Sequence, residues 1–106
     1  ETIKNAEVEN NLAIAVCPSS SSNTVIVARA ADELLNISGI DVCFVLSESN
    51  GSVAISGRSV GDINVQVVLE EIGGGGHMNM AGAKLNMPMA EALSLLKESI
   101  ARNIKE

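Results

Sequence analysis

From residue 12 the chain alternates bulky and small apolar residues: Leu12, Ile14 and Val16 stand at every second position, with Ala13 and Ala15 between them. That period of two predicts a first strand with one large-residue face. Pro18 and the serine run Ser19–Ser22 end it as a connecting loop, and Asn23 is placed to cap a helix. The period then lengthens. Val27, Ala30, Ala31, Leu34 and Leu35 fall on one helical face, Arg29 and Glu33 sit four apart on the other, and Gly39 closes the segment. Val42–Leu46 is nearly continuous apolar, as in a central strand covered on both sides. Asn50-Gly51 is a strong hairpin signal, so the strand from Ser52 to Arg58 runs antiparallel to the one before it. Along it Val53, Ile55 and Gly57 face one way, and Ala54, Ser56 and Arg58 the other.

Beyond Gly61, Asp62 can cap a second helix with Val65, Val68, Leu69 and Ile72 as its buried stripe. Four glycines, Gly73–Gly76, follow. Ala83 and Leu85 then mark a short fourth strand with Lys84 facing outward. Pro88 suits the first turn of a last helix, striped by Met89, Leu93, Leu96, Ile100 and Ile104, with Glu98 paired to Arg102 on its wet side. The order β-α-β-β-α-β-α predicts an α/β fold, a mixed β-sheet with flanking helices. Short right-handed crossovers make some strands parallel around the hairpin, with a split βαβ, ferredoxin-like arrangement as the alternative topology. Residues 1–106 read as one domain, with about 1–10 a polar lead-in, and the start at Glu1 reads as a piece of something longer.

Composition narrows the classes. Apolar residues are 46% of the chain but Phe44 is the only aromatic, so aliphatic side chains must build the core. A net charge of −6 with only seven Lys and Arg argues against a surface for long nucleic acid, which needs clustered cations to displace counterions. A small anionic ligand, held locally by one arginine and a few amides, stays open. Cys17 and Cys43 lie in strand-like apolar segments without metal-ligand spacing and read as buried thiols, with a disulfide between neighbouring strands as the minor alternative.

The chemistry concentrates at Gly73-Gly74-Gly75-Gly76-His77, where the only histidine follows four glycines. Glycine costs about 0.5–1 kcal/mol relative to alanine within an element, so a run of four implies unusual backbone angles or close approach to the main chain. The bland alternative is a helix-ending turn. Arg58 ends its strand just before the second helix, and the glycines return toward the sheet, so the two can border one cleft. Arg58 offers a planar fork for phosphate oxygens, glycine amides are neutral donors, and His77 can donate from either ring nitrogen. Ser56, Ser59 and Asn64 complete the polar set. The glycines sit at a helix C-terminus, whose dipole repels anions, and no Lys-Ser/Thr follows them, which excludes a nucleotide-triphosphatase loop. No catalytic or metal-binding set is visible, so the chain reads as a binding module.

In order, Arg58-Ser59, Asn64-Val65, Gly74-Gly75-Gly76-His77 and Ala81-Gly82 resemble the DHH-associated C-terminal domain of DHH-family phosphoesterases. The wider phrasing, Ala30-Ala31-Asp32-Glu33-Leu34-Leu35-Asn36-Ile37 and Gly61-Asp62-Ile63-Asn64-Val65-Gln66-Val67, is similar to the GdpP-type membrane-anchored cyclic-di-AMP phosphodiesterases. The resemblance implies a hydrolase whose preceding DHH domain, in cis, holds a pair of divalent metals, usually manganese. The present residues then bind no cofactor and are inactive alone. It implies that Arg58 and His77 contact phosphate, that Gly74, Gly75 and Gly76 let the nucleotide approach, and that Ser56, Ser59 and Asn64 shape the pocket wall. Met80 departs from the alanine more usual there. Partners implied are a cyclic dinucleotide or short oligonucleotide, with a homodimer left open and the segment on the cytoplasmic side of a membrane-anchored parent. Competing readings are an exonuclease of short oligoribonucleotides, a nucleic-acid accessory domain like that of alanyl-tRNA synthetases, and a noncatalytic dimerisation module.

Overall fold

The alternating segment Leu12–Val16 forms a strand whose two faces serve two different cores, and the rest of the molecule is arranged around that division. A computed structural model describes residues 5–17, 24–37, 39–49 and 51–104. Their elements are β1 (Asn5–Glu9), β2 (Leu12–Val16), α1 (Thr24–Leu35), β3 (Val42–Ser49), β4 (Ser52–Ser59), α2 (Val65–Glu71), β5 (Gly75–His77), β6 (Met80–Leu85) and α3 (Met89–Asn103). The strands form one mixed sheet in the order β1-β2-β3-β4-β6-β5. The expected β-α-β-β-α-β-α order is therefore present, with β1 and β5 added to it.

On one face Leu12, Ile14, Phe44, Leu46, Val53 and Ile55 pack with Val65, Val68 and Leu69 of α2 and Ala92 and Leu96 of α3. On the other face Ala13, Ala15, Cys43 and Val45 meet Val27, Ala30, Ala31 and Leu34 of α1. The alanines on both sides of that second contact leave little bulk between helix and sheet, so α1 lies close to the strands. Cys17 and Cys43 are buried free thiols, not a disulfide. The Cys43 S–H donates to the Ala31 carbonyl at 3.3 Å, and burial pushes its pKa up to about 12.

β2 and β3 are parallel and joined through α1, a βαβ unit. β3 and β4 form the expected hairpin, with Ser49 opposite Ser52 and Gly51 at φ +80°. β4 is antiparallel to β6 and β6 to β5, so β4 and β5 run parallel with β6 inserted between them. The second half is thus the split βαβ form.

Several expectations are corrected. The polar lead-in contains β1, an edge strand paired antiparallel to β2 through a turn in which Asn10 adopts φ +58°, a conformation asparagine tolerates. The second helix is capped by Asn64, whose Oδ1 accepts from the Val67 N–H at 3.2 Å, rather than by Asp62. The fourth expected strand starts earlier, at Met80, and Arg102 bonds Glu71 of α2 (Nε–Oε2, 2.9 Å) as well as lying one turn from Glu98. The Asn23 cap and the Asn50 half of the hairpin signal lie outside the described residues.

Candidate functional site

Register decides which side chains share a row on the outer three strands. Arg58 pairs with Met80 and Met80 with His77; Ser56 pairs with Gly82 and Gly82 with Gly75; Ala54 pairs with Lys84. Directly opposed residues project to the same face, so all of these lie on the side where α1 packs. α1 packs over β3 and β4, with Ala13 and Ala15 of β2 in the same apolar cluster, and leaves β6 and β5 uncovered. The result is an open cleft of about 680 Å³ bounded by Ala28 of α1, Ser56 and Arg58 of β4, Met80 to Lys84 of β6, and Gly73 to His77. Arg58, His77, Ser56 and the glycines are brought together as expected. The Cα atoms of Arg58 and His77 are two strand spacings apart, about 10 Å, with the exposed Met80 between them.

Arg58 is 8% exposed, unusually low for its type, and is held by α1. Its Nε donates to Asp32 Oδ1 at 2.9 Å and its Nη1 to the Gly57 carbonyl at 2.9 Å. These bonds engage two of the five N–H groups of a guanidinium and leave the fork in a defined orientation at the cleft wall. Asp32 lies one helical turn after Ala28, on the helix edge beside the cleft. The helical pattern singles out Arg29 and Glu33 on the exposed side and not Asp32, whose only sequence signal is its place next to the buried Ala31.

The four glycines do different work. Gly73, at φ +106°, ends α2, and the Gly74 N–H donates to the Leu69 carbonyl at 2.7 Å. A β-carbon at Gly74 would collide with the Gly82 carbonyl oxygen and Ala83, and one at Gly76 (φ +147°) would meet Ala81 Cα and Met80 O at 2.5 Å. At Gly75 a β-carbon would touch nothing within 4 Å. The run is therefore partly a helix stop and partly a strand pressed against β6, and the expected row of open amides is smaller than four glycines suggest. Of the four, Gly75 alone has neither a packing contact nor a positive φ to exclude a side chain, and it lies on the cleft face.

Ser59 and Asn64, expected in the wall, do not line the cleft. The Ser59 hydroxyl donates to the Ile63 carbonyl at 2.6 Å and accepts from Asn79 Nδ2 at 2.9 Å, while Asn64 caps α2. Asn79, not anticipated, also donates to the Gly61 and Ile63 carbonyls. Lys84 faces away from the core as expected, but the face it occupies is the cleft. Its signal was the two-residue spacing from Met80 and Gly82, visible only once the strand is known to begin at Met80.

The fold is an α/β domain with an arginine, a histidine and a lysine around a concavity of ligand size. The chain belongs to the DHHA1 domain family, whose model matches residues 9–106. It is 47% identical over 78 residues, 72% of this chain, to the cyclic-di-AMP phosphodiesterase GdpP of Geobacillus thermodenitrificans, and spans 12% of that relative's length. Its fold is similar to that of an exopolyphosphatase-related protein of Bacteroides fragilis, with TM-score 0.79 and 23% identity over 92% of this chain and 31% of the other. It is likewise similar to the C-Ala domain of Aquifex aeolicus alanyl-tRNA synthetase, with TM-score 0.71 and 21% identity over 92% of this chain and 99% of that one.

Proposed function

We propose that this chain is the substrate-binding part of a metal-dependent phosphodiesterase that hydrolyses cyclic dinucleotides, cyclic-di-AMP first among them. The observation that carries the reading is the Arg58–Met80–His77 row beside a floor of bare main chain at Gly75 and Gly82, in a relative of a protein named for that activity. In this reading Arg58 binds phosphate through the N–H groups not engaged by Asp32 and Gly57, and His77 donates from the opposite side. Gly75 admits the ligand to main-chain distance, and Ser56 supplies a hydroxyl at the wall. Asp32 holds Arg58 in place before the ligand arrives, so less ordering entropy is lost on binding.

Among the described residues no three of His, Cys, Asp and Glu group as a metal site. The described residues offer no donor set that fits a metal pair. In the proposal the two divalent ions, manganese, belong to a preceding DHH domain in cis that supplies the attacking hydroxide. No helix among the described residues is long and apolar enough to cross a membrane. We place this segment on the cytoplasmic side of a membrane-anchored parent, by likeness to the GdpP-type enzymes.

The test is steady-state hydrolysis of cyclic-di-AMP and of a short linear oligoribonucleotide by the full-length protein and its Arg58→Ala and His77→Ala variants. Loss of a hydrogen bond to a charged group is worth about 1.5–3 kcal/mol, so kcat/KM should fall roughly 10- to 100-fold in each variant. Folded variants with unchanged turnover would remove the phosphate-binding role. Preference for the linear substrate would reassign the activity to short-RNA exonuclease.

A further inference from the structure

The middle row of the cleft, Ser56–Gly82–Gly75, carries almost no side-chain bulk, while the rows on both sides carry cations. Arg58 and His77 occupy the row toward the β5–β6 turn, and Lys84 occupies the row on the far side, opposite Ala54. The open face is thus a trough floored by main chain, with a positive group at each bank. Met80 and Lys84, which mark the two banks on β6, are four residues apart, about 13 Å at the rise of a strand. β5 begins at Gly75, so the next neighbour of Lys84 on that side is the glycine turn, and nothing bulky stands beside it.

Lys84 is exposed and has no hydrogen-bond or ion-pair partner among the described residues. In a chain of net charge −6, carboxylates are plentiful, yet this cation stands apart from them and at the rim of the cleft. A ligand with a single anionic group anchored at Arg58 and His77 leaves Lys84 unused. A ligand that crosses the trough brings a second anion to it, and the flexible four-carbon stem of lysine lets the ammonium follow that group.

We infer that Lys84 binds a second anionic group of the ligand, so that the site selects molecules with two phosphates over molecules with one. The inference rests on the proposed phosphate role of Arg58 and His77 and adds to it the residue that reads ligand length. The glycine pair Gly75 and Gly82 keeps the space between the banks open, and Lys84 marks its end.

The experiment is calorimetric titration of the full-length protein and its Lys84→Gln, Lys84→Arg and Arg58→Lys variants with two probes, cyclic-di-AMP and adenosine 5′-monophosphate. Lys84→Gln is expected to lower the ratio of two-phosphate to one-phosphate affinity about 5- to 20-fold, with an unchanged melting temperature, and Lys84→Arg to restore most of that ratio. An unchanged ratio in Lys84→Gln, or no recovery in Lys84→Arg, overturns the inference. If Arg58→Lys weakens both probes while Lys84→Gln alters neither, Lys84 is excluded and the site stands. If the wild-type protein binds neither probe, or Arg58→Lys binds both as the wild type does, the site reading and the inference fail together.

Discussion

At Gly74 there is no room for a β-carbon between β5 and the Gly82 carbonyl, and at Gly76 the Met80 carbonyl is 2.5 Å from where one would sit. At Gly75 the same atom would enter open space. Three adjacent, chemically identical residues therefore answer to different constraints, and substitution separates them. Gly74→Ala and Gly76→Ala should each destabilise the fold by about 2 kcal/mol or more, since the clash is with backbone that cannot step aside. Gly75→Ala should leave the melting temperature within a degree or two, because a methyl group there meets nothing. Under the proposed function it should still weaken cyclic-di-AMP binding by the full-length protein, because that methyl group projects into the cleft. Thermal melts set beside titrations decide it: a Gly75→Ala variant that binds normally would leave the glycine run a purely structural device. Arg58 teaches the complementary lesson. Its type and its place at a strand end were readable, but its carboxylate partner, Asp32, is 26 residues away on another element.

The element that positions the site is the β5–β6 hairpin, whose two-residue turn Met78-Asn79 lies between His77 and Met80. The turn is fastened to the segment entering α2. The Val65 N–H donates to the Met78 carbonyl at 2.8 Å and the Ser59 N–H to the Asn79 carbonyl at 3.1 Å. The Asn79 amide reaches Ser59 Oγ, Gly61 O and Ile63 O. One of the orphan donors at the start of α2 is thereby satisfied by the hairpin that carries His77. Asn79→Ala should lower stability by about 0.5–1.5 kcal/mol in urea unfolding. Under the proposed function it should also raise KM for cyclic-di-AMP several-fold in the full-length protein, although Asn79 lies outside the cleft. Normal KM with normal stability would show that the turn needs no such fastening. β5 itself escaped the sequence reading because Gly-Gly-His has no apolar periodicity to detect. β1 escaped because an edge strand of alternating polar residues looks like a solvated lead-in, although Asn10-Asn11 was a turn signal that could have been used.

At the scale of the whole molecule, α2 and α3 cover one side of the sheet from β3 to β5, and α1 covers only part of the other. The covered side depends on Phe44, fully buried and opposite Gly57 on β4. A β-carbon at Gly57 would lie 3.0 Å from Phe44 Cε2, so the strand glycine makes room for the only aromatic ring. Phe44→Ala should cost about 3–5 kcal/mol, a large share of the roughly 5–15 kcal/mol that holds a domain folded. Phe44→Leu should cost much less, since volume is largely kept. Denaturant titration of both variants checks this; similar, small losses would mean that the aliphatic core closes without the ring. On the other side α1 stops at β4. That incomplete cover exposes the face on which Arg58, His77, Gly75 and Lys84 meet.

The alternation of Leu12–Val16, the helical stripes, the hairpin signal at Gly51 and the ordered Arg58, glycine and His77 features were sufficient by themselves for the α/β class, the two-sided central strand and the family. Periodicity reports which face of an element is apolar, and that is a local property. Strand order, the insertion of β6 between β4 and β5, and the rows that join Arg58 to His77 and set Lys84 across from them arose only in the tertiary structure. They depend on pairing between strands distant in sequence, which no local pattern encodes. The same physics removed Ser59 and Asn64 from the cleft. Short polar side chains next to a helix start satisfy the nearest backbone groups first, and only the folded chain shows that those groups were within reach.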